Sequence, residues 1–250
     1  MSSLSNTKAI FKRELGSYFN SPVAYVIVVI FLLATQGFSF LVGRFLEQDN
    51  ANLTGSFFQF HPWIYLFLAP AVGMKLWSEE HRLGTWELLS TMPVALWEAV
   101  VGKFLAVCVV WAAALFLTFP IVWTVFWLGN PDSGPIWAGY IGSYLLAISF
   151  VAITMAVSAF TRSQVVCFIV SVALCLFITL SGFPPLVQDM VKALPDSMSG
   201  FASALAYGSV WSHMMELAKG VVKLSDLLYF FSIISISCVV TGFALTLKRN

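Results

Sequence analysis

The chain has 250 residues, 59% hydrophobic, 16% aromatic and only 10% charged, with a net charge of +1 and a mean hydropathy of +0.88. A soluble domain averages about 25% charged residues, so this composition excludes an ordinary soluble protein and points to an integral membrane protein. The near-neutral balance offers no basic stripe to neutralise phosphates, which excludes nucleic acid as a partner.

Residues 1–21 are expected to open the chain as an amphipathic helix on the inner membrane interface, the alternative being a frayed basic tail. Leu4, Phe11, Leu15, Tyr18 and Phe19 share one stripe, with Asn6, Arg13 and Ser17 opposite. Lys8 and Lys12 lie in or beside the apolar stripe, so their ammonium heads must snorkel. The apolar run after Lys12 and Arg13 exceeds the about 7–15 residues of a signal-peptide core and is read as a retained span. Spans of about 20 apolar residues are predicted at 23–43, 57–76, 100–128, 136–160, 163–184 and 226–247, the fifth stopped by Pro184-Pro185. Residues 197–215 carry no Asp, Glu, Lys or Arg but are rich in Ser, Gly and Ala. As a span they would make seven; lying on or dipping into the outer surface they leave six. They are the least apolar window, so six spans are expected, with 186–224 as an outer re-entrant or helical hairpin.

Lys and Arg collect on the cytoplasmic side. With the N-terminus inside and six spans, Lys8, Lys12, Arg13, Lys75, Arg82, Lys103, Arg162, Lys248 and Arg249 are inside and Arg44, Lys192, Lys219 and Lys223 outside, nine against four of the 13. Seven spans give the same ratio, so charge fixes the orientation but not the count.

Residues 78–93, SEEHRLGTWELLSTMP, gather charge in a chain otherwise poor in it. Under this topology they form the longest inner loop. Gly84 ends the arriving helix, Thr85 caps a new short one, Glu87 suits its first turn, and Pro93 closes the segment. The expected product is a stiff elbow bearing Trp86, Leu88 and Leu89, rimmed by Glu79, Glu80 and Arg82. An apolar knob with a charged rim suits a protein–protein contact; an ordinary solvated loop is the alternative.

The four cysteines, Cys108, Cys167, Cys175 and Cys238, sit in apolar runs without a CxxC pair and read as small hydrophobes. No GxxxxGK[ST] motif is present: Gly102-Lys103 is followed by Phe104. No Asp, Glu, Lys or Arg falls near a span centre, which counts against an ion-coupled carrier. There is no HExxH or GxSxG. His61, His81 and His213 read as interfacial residues near span ends or in loops, and Asp226 as a first-turn charge on the last helix. Catalytic, cofactor-binding and metal sites are therefore not expected. Gly139, Ser143 and Ala147, followed by Ala152 and Ala156, recur on the fourth span at spacings that let helices approach closely, for bundle packing or a subunit seam. Phe57, Phe58, Phe60, Trp63 and Phe67 of the second span either wall a path for an amphipathic cargo or face lipid.

An inner loop reading E-x-x-x-G-T-x-E-x-L followed by Pro, here Glu80, Gly84, Thr85, Glu87, Leu89 and Pro93, resembles the coupling-helix region of ABC-2 type permeases, the membrane subunits of ATP-binding-cassette exporters. GVVKLSDLLYF, Gly220 to Phe230, before the last span is similar to the gliding-motility-associated branch. The resemblance implies an all-α permease with an interfacial helix, six spans and an outer hairpin, both termini cytoplasmic, in the cell's inner membrane. It implies that Glu79, Glu80, His81, Arg82, Gly84, Thr85, Trp86, Glu87 and Leu89 dock on a separate ATPase subunit, which binds ATP-Mg. A second permease protomer, identical or related, membrane lipid and an extracytoplasmic auxiliary protein are the other partners implied. An ion-coupled carrier and a non-transporting anchor subunit are the rival readings. Cargo is not legible.

Overall fold

The computed structural model describes residues 3–45, 53–86, 94–193 and 206–249. Every regular element among them is helical. Helix α1 (Ser3–Asn20) leads to α2 (Pro22–Gly37), which runs on through a π turn at Phe38–Val42. Pro22 opens α2 in the first turn, where a missing N–H costs nothing, and Ser21 Oγ caps it by accepting from Val23 N.

The second apolar window is broken into pieces. Helix α3 (Leu53–Ser56) and a 3₁₀ turn (Phe58–Phe60) precede α4 (His61–Gly73), and a bend at Met74 leads into α5 (Lys75–Leu83). Two prolines explain much of this. Pro62 sits in the first turn of α4, while Pro70 lies inside it and has no N–H for the ladder.

Helix α6 (Leu96–Phe116) and α7 (Pro120–Leu128) make one long rod interrupted at Leu117–Phe119, just before Pro120. The Glu98 carboxylate reaches back to the Ala95 N–H at 3.2 Å, so the rod starts at Leu96 rather than near residue 100. Helix α8 (Ser133–Phe160) is capped by Asp132, and α9 (Gln164–Leu180) by Ser163. Helices α10 (Pro184–Ala193) and α11 (Val210–Ala218) precede the last helix, α12 (Leu224–Arg249). Four stretches are long and apolar enough to cross a membrane: Pro22–Val42, Leu96–Leu128, Ser133–Phe160 and Leu224–Lys248. Gln164–Leu180 is apolar but shorter.

Helix α8 is the hub: α4, α5, α6, α9, α11 and α12 all pack on it. Of its most apolar window 78% is buried, against 17% for α2, so α8 sits inside the bundle and α2 at its rim. Water-driven burial does not hold helices together in lipid; close packing and hydrogen bonds between helices do. The core supplies both. Phe31 of α2 stacks on Tyr65 at 5.4 Å, and Trp111 of α6 meets both edge-on; such ring pairs contribute about 0.5–1.5 kcal/mol each beyond area burial. His61 and Tyr65 of α4 share the hydroxyl of Ser143 on α8, at 3.1 and 2.8 Å.

These contacts revise several sequence expectations. His61 is fully buried among aromatic rings, not interfacial. Phe57 and Phe58 are buried with it, and Trp63 packs on Phe183 and Trp211; Phe67 is the member of that aromatic set left broadly exposed. His213 of α11 is also buried, its Nδ1 2.6 Å from Asp226 Oδ1 and its ring stacked on Tyr229, so Asp226 ties α12 to α11 as well as standing in the first turn. Cys108, Cys167 and Cys175 are buried, and all four cysteines are free.

Helix α1 has two faces. Ile10 is buried against Gly102 of α6, and Asn6 donates to Glu98 at 3.0 Å. Asn6, placed on the solvent side by the stripe, therefore belongs to the face that grips the bundle. Leu4 and Phe19 remain exposed, as do Lys8 and Lys12.

Candidate functional site

The charged island begins on α5 and continues into a turn. Gly84 closes α5 with φ +72°, a left-handed conformation in which a Cβ is strained. Beyond it the Thr85 hydroxyl points back, donating to the Glu80 carbonyl at 3.5 Å. Glu87, Leu88, Leu89 and Pro93 lie outside the described residues, and with them the capping of the next helix.

Trp86 does not form an exposed knob. It is 7% exposed, edge-on to Trp77 at 5.8 Å and tilted against His81 at 5.4 Å. An indole this large is better held against another indole than left in water at the end of α5. The groups presented outward are Glu79, Arg82, Leu83, Gly84 and Thr85, with Arg82 3.6 Å from Glu79.

Glu80 is not rim charge either. Lys103 of α6 is 3% exposed, and its Nζ lies 2.7 Å from Glu80 Oε1 and 3.6 Å from Glu14 Oε1 of α1. The same ammonium donates to the Leu76 carbonyl at 2.8 Å and sits 4.7 Å above the Trp77 ring. Arg13 joins the group, 2.7 Å from Glu14 and 3.8 Å from Glu80. One buried cation thus pins three helices at a point: α1, α5 and α6. Sequence reading placed Lys103 at a span end and gave it no partner. The available clue was that Glu14 and Glu80 fall on the same predicted side as Lys103.

His81 points to the other side of α5. Its ring faces the Ala159 backbone at the end of α8. Burial holds its pKa down to about 4, and the cations of Lys248, Arg162 and Lys103 add to the depression. A depressed histidine pKa stabilises the fold above the ordinary value near 6.5, and that contribution is lost as pH falls toward 4. The expected result is a stability that declines over this window and a shallower decline for His81→Gln, read by thermal unfolding in detergent. An imidazole titration of His81 centred at 6.5 would contradict it.

A family model described as ABC-2 family transporter protein matches residues 8–247. The chain belongs to that family. A comparison with curated proteins found no match. ABC-2 permeases are membrane subunits of transporters and normally work with an ATP-binding ATPase subunit. The apolar helices accordingly make this a multi-pass membrane protein.

The small-residue stripe of the permease lies within the chain. A Cβ on Gly139 would stand 2.4 Å from the Phe58 ring, Ser143 is the shared partner of His61 and Tyr65, and Ala147 is fully buried. Gly139, Ser143 and Ala147 thus all pack within the chain. Among the described residues no cluster of three or more His, Cys, Asp or Glu side chains is arranged to hold a metal.

Proposed function

We propose that the chain is the permease subunit of an ATP-driven exporter, coupled through α5 and the turn at Gly84 to a separate ATPase subunit that binds ATP-Mg. Six spans carry it: the four long stretches, the broken second window at 57–76 built on α4, and α9. Both termini are cytoplasmic, in the inner membrane, and α1 lies on the inner interface with Lys8, Lys12, Leu4 and Phe19 toward lipid. A second protomer, identical or related, completes the pathway. The C-terminal segment around Gly220–Phe230 supports the gliding-motility-associated branch.

The observation that carries this reading is the clamp at Lys103. A coupling element has to be stiff where it joins the spans and exposed where a partner pushes. Helix α5 has both properties: Glu80 and Leu76 are tied to α6 and α1, while Arg82, Leu83 and Thr85 stand outside. Force applied at Gly84 passes directly into the long rod of α6 and α7.

The outward residues give the test. Arg82→Glu combined with Leu83→Asp reverses one rim charge and removes an apolar side chain that is 62% exposed. Loss of such contacts costs about 1–3 kcal/mol at an interface, so copurification of the ATPase subunit should fall about tenfold or more while the melting temperature stays within a few degrees. Wild-type copurification and ATP-dependent transport by the double variant would reject the docking assignment. Transport that persists without ATP and follows an ion gradient would reject the exporter itself.

A further inference from the structure

A cavity of about 260 Å³ lies between α1, α2, α4, α5 and α6, beside the clamp; it shares Glu79 with the outward docking face but not Arg82, Leu83 or Thr85. Its inner mouth is polar. Ser21 stands at the head of α2, and Lys75 and Glu79 are one turn apart on α5. Its deeper wall is apolar, formed by Ile27 of α2, Val72 of α4 and Val110 of α6. Lys75 makes no ion pair or hydrogen bond with any described residue, although Glu79 is on its own face of the helix and reaches Arg82 instead. Helix α2, which forms one side, is the least buried of the four long stretches, so the cavity lies at the exposed rim of the bundle.

An amphipathic cavity with an unspent cation at its mouth has a definite chemical complement. The mouth matches a phosphate with an ammonium group a few atoms away, and the wall matches an alkyl chain. The volume falls below the roughly 300–1,000 Å³ of pockets that enclose a whole drug-sized ligand, so it takes a headgroup and the upper part of one chain. The geometry points to a resident-lipid site for one phosphatidylethanolamine molecule of the cytoplasmic leaflet. Its phosphate accepts from Lys75 and Ser21, its ammonium donates to Glu79, and one acyl chain runs along Ile27, Val72 and Val110. The assignment to that leaflet rests on the orientation given under Proposed function. Glu14 lines the same cavity and contacts Lys103, so the lipid also borders the clamp.

The test uses the full chain reconstituted in nanodiscs containing equal amounts of phosphatidylethanolamine, phosphatidylglycerol and phosphatidylcholine. Lipid retained after detergent extraction is counted by native mass spectrometry, and the melting temperature and ATPase copurification are read on the same samples. Wild type is expected to keep about one phosphatidylethanolamine per chain, favoured about fivefold over each of the other two. Lys75→Gln should cut this retention about fivefold, and Lys75→Arg should preserve it. Glu79→Gln should erase the preference over phosphatidylglycerol, and Ala71→Phe, which fills the cavity, should abolish retention. Retained lipid that mirrors the bulk mixture, or equal retention by wild type, Lys75→Gln and Ala71→Phe, means adventitious lipid only and overturns the site. ATPase copurification unchanged alongside that result leaves the docking reading standing. Bound lipid of the expected kind with no ATPase association separates the two the other way.

Discussion

Lys103→Met should lower the stability of the permease by about 3–5 kcal/mol, the usual cost of removing one partner from a buried ion pair. The ammonium has almost no contact with solvent, and it balances two carboxylates and a carbonyl. Its removal leaves Glu14 and Glu80 with only the half-exposed Arg13 guanidinium as counter-charge, at a site that water reaches in part. The double variant Lys103→Met with Glu80→Gln should recover at least half of the loss, because it removes the charge left stranded rather than only its partner. Denaturant unfolding in detergent for wild type, both single variants and the pair gives the coupling energy directly. A Lys103→Met protein as stable as wild type would show that the clamp holds nothing. The same geometry changes what charge reversal at Glu80 does. Glu80→Lys sets a second cation against a buried one, so it damages the fold and cannot be read as a clean probe of docking.

Gly139→Leu should cost on the order of 3 kcal/mol, the upper end of what overpacking costs. Even a lone Cβ at this position would press on the Phe58 ring at 2.4 Å, and that ring is fully buried beside His61 and Tyr140. Moving α8 away to make room stretches the Ser143 contacts one turn further along. Phe58→Ala is destabilising by itself, since it opens a cavity. Combined with Gly139→Leu, the total should be at least about 1 kcal/mol less than the sum of the singles, because the new side chain occupies the vacated space. Additive losses would mean that helix separation is not set by this contact. Melting temperature and the monodisperse fraction on gel filtration are the readouts.

The fold class could be read from the sequence because membrane composition and hydropathy are local properties. Long apolar windows without interruptions became long helices, as at Ser133–Phe160. The second window was the least faithful, because Pro62 and Pro70 restrict the backbone whatever the hydropathy around them. The location of the charged island and its break at Gly84 were also legible, since a left-handed turn leaves a glycine behind. What the island residues touch was not. Leu76 meets Lys103 across 27 positions of chain, His61 meets Ser143 across 82, and Asn6 meets Glu98 across 92. Periodicity within one helix says which residues share a face, but not whether lipid, water or another helix covers that face. Hence Asn6 was assigned to solvent, Trp86 to an exposed knob, and Glu80 to a rim it does not occupy.

The clamp also has an order in time. Glu14 and Glu80 are both synthesised before Lys103, and the lysine that neutralises them arrives only with the third hydrophobic stretch. A nascent chain halted before that point has only the half-exposed Arg13 beside the two acids, and the inner ends of its first two spans stay unlatched. The ribosome therefore delivers the bolt last, and the half-made protein stays unfastened at its inner face until the bolt goes home.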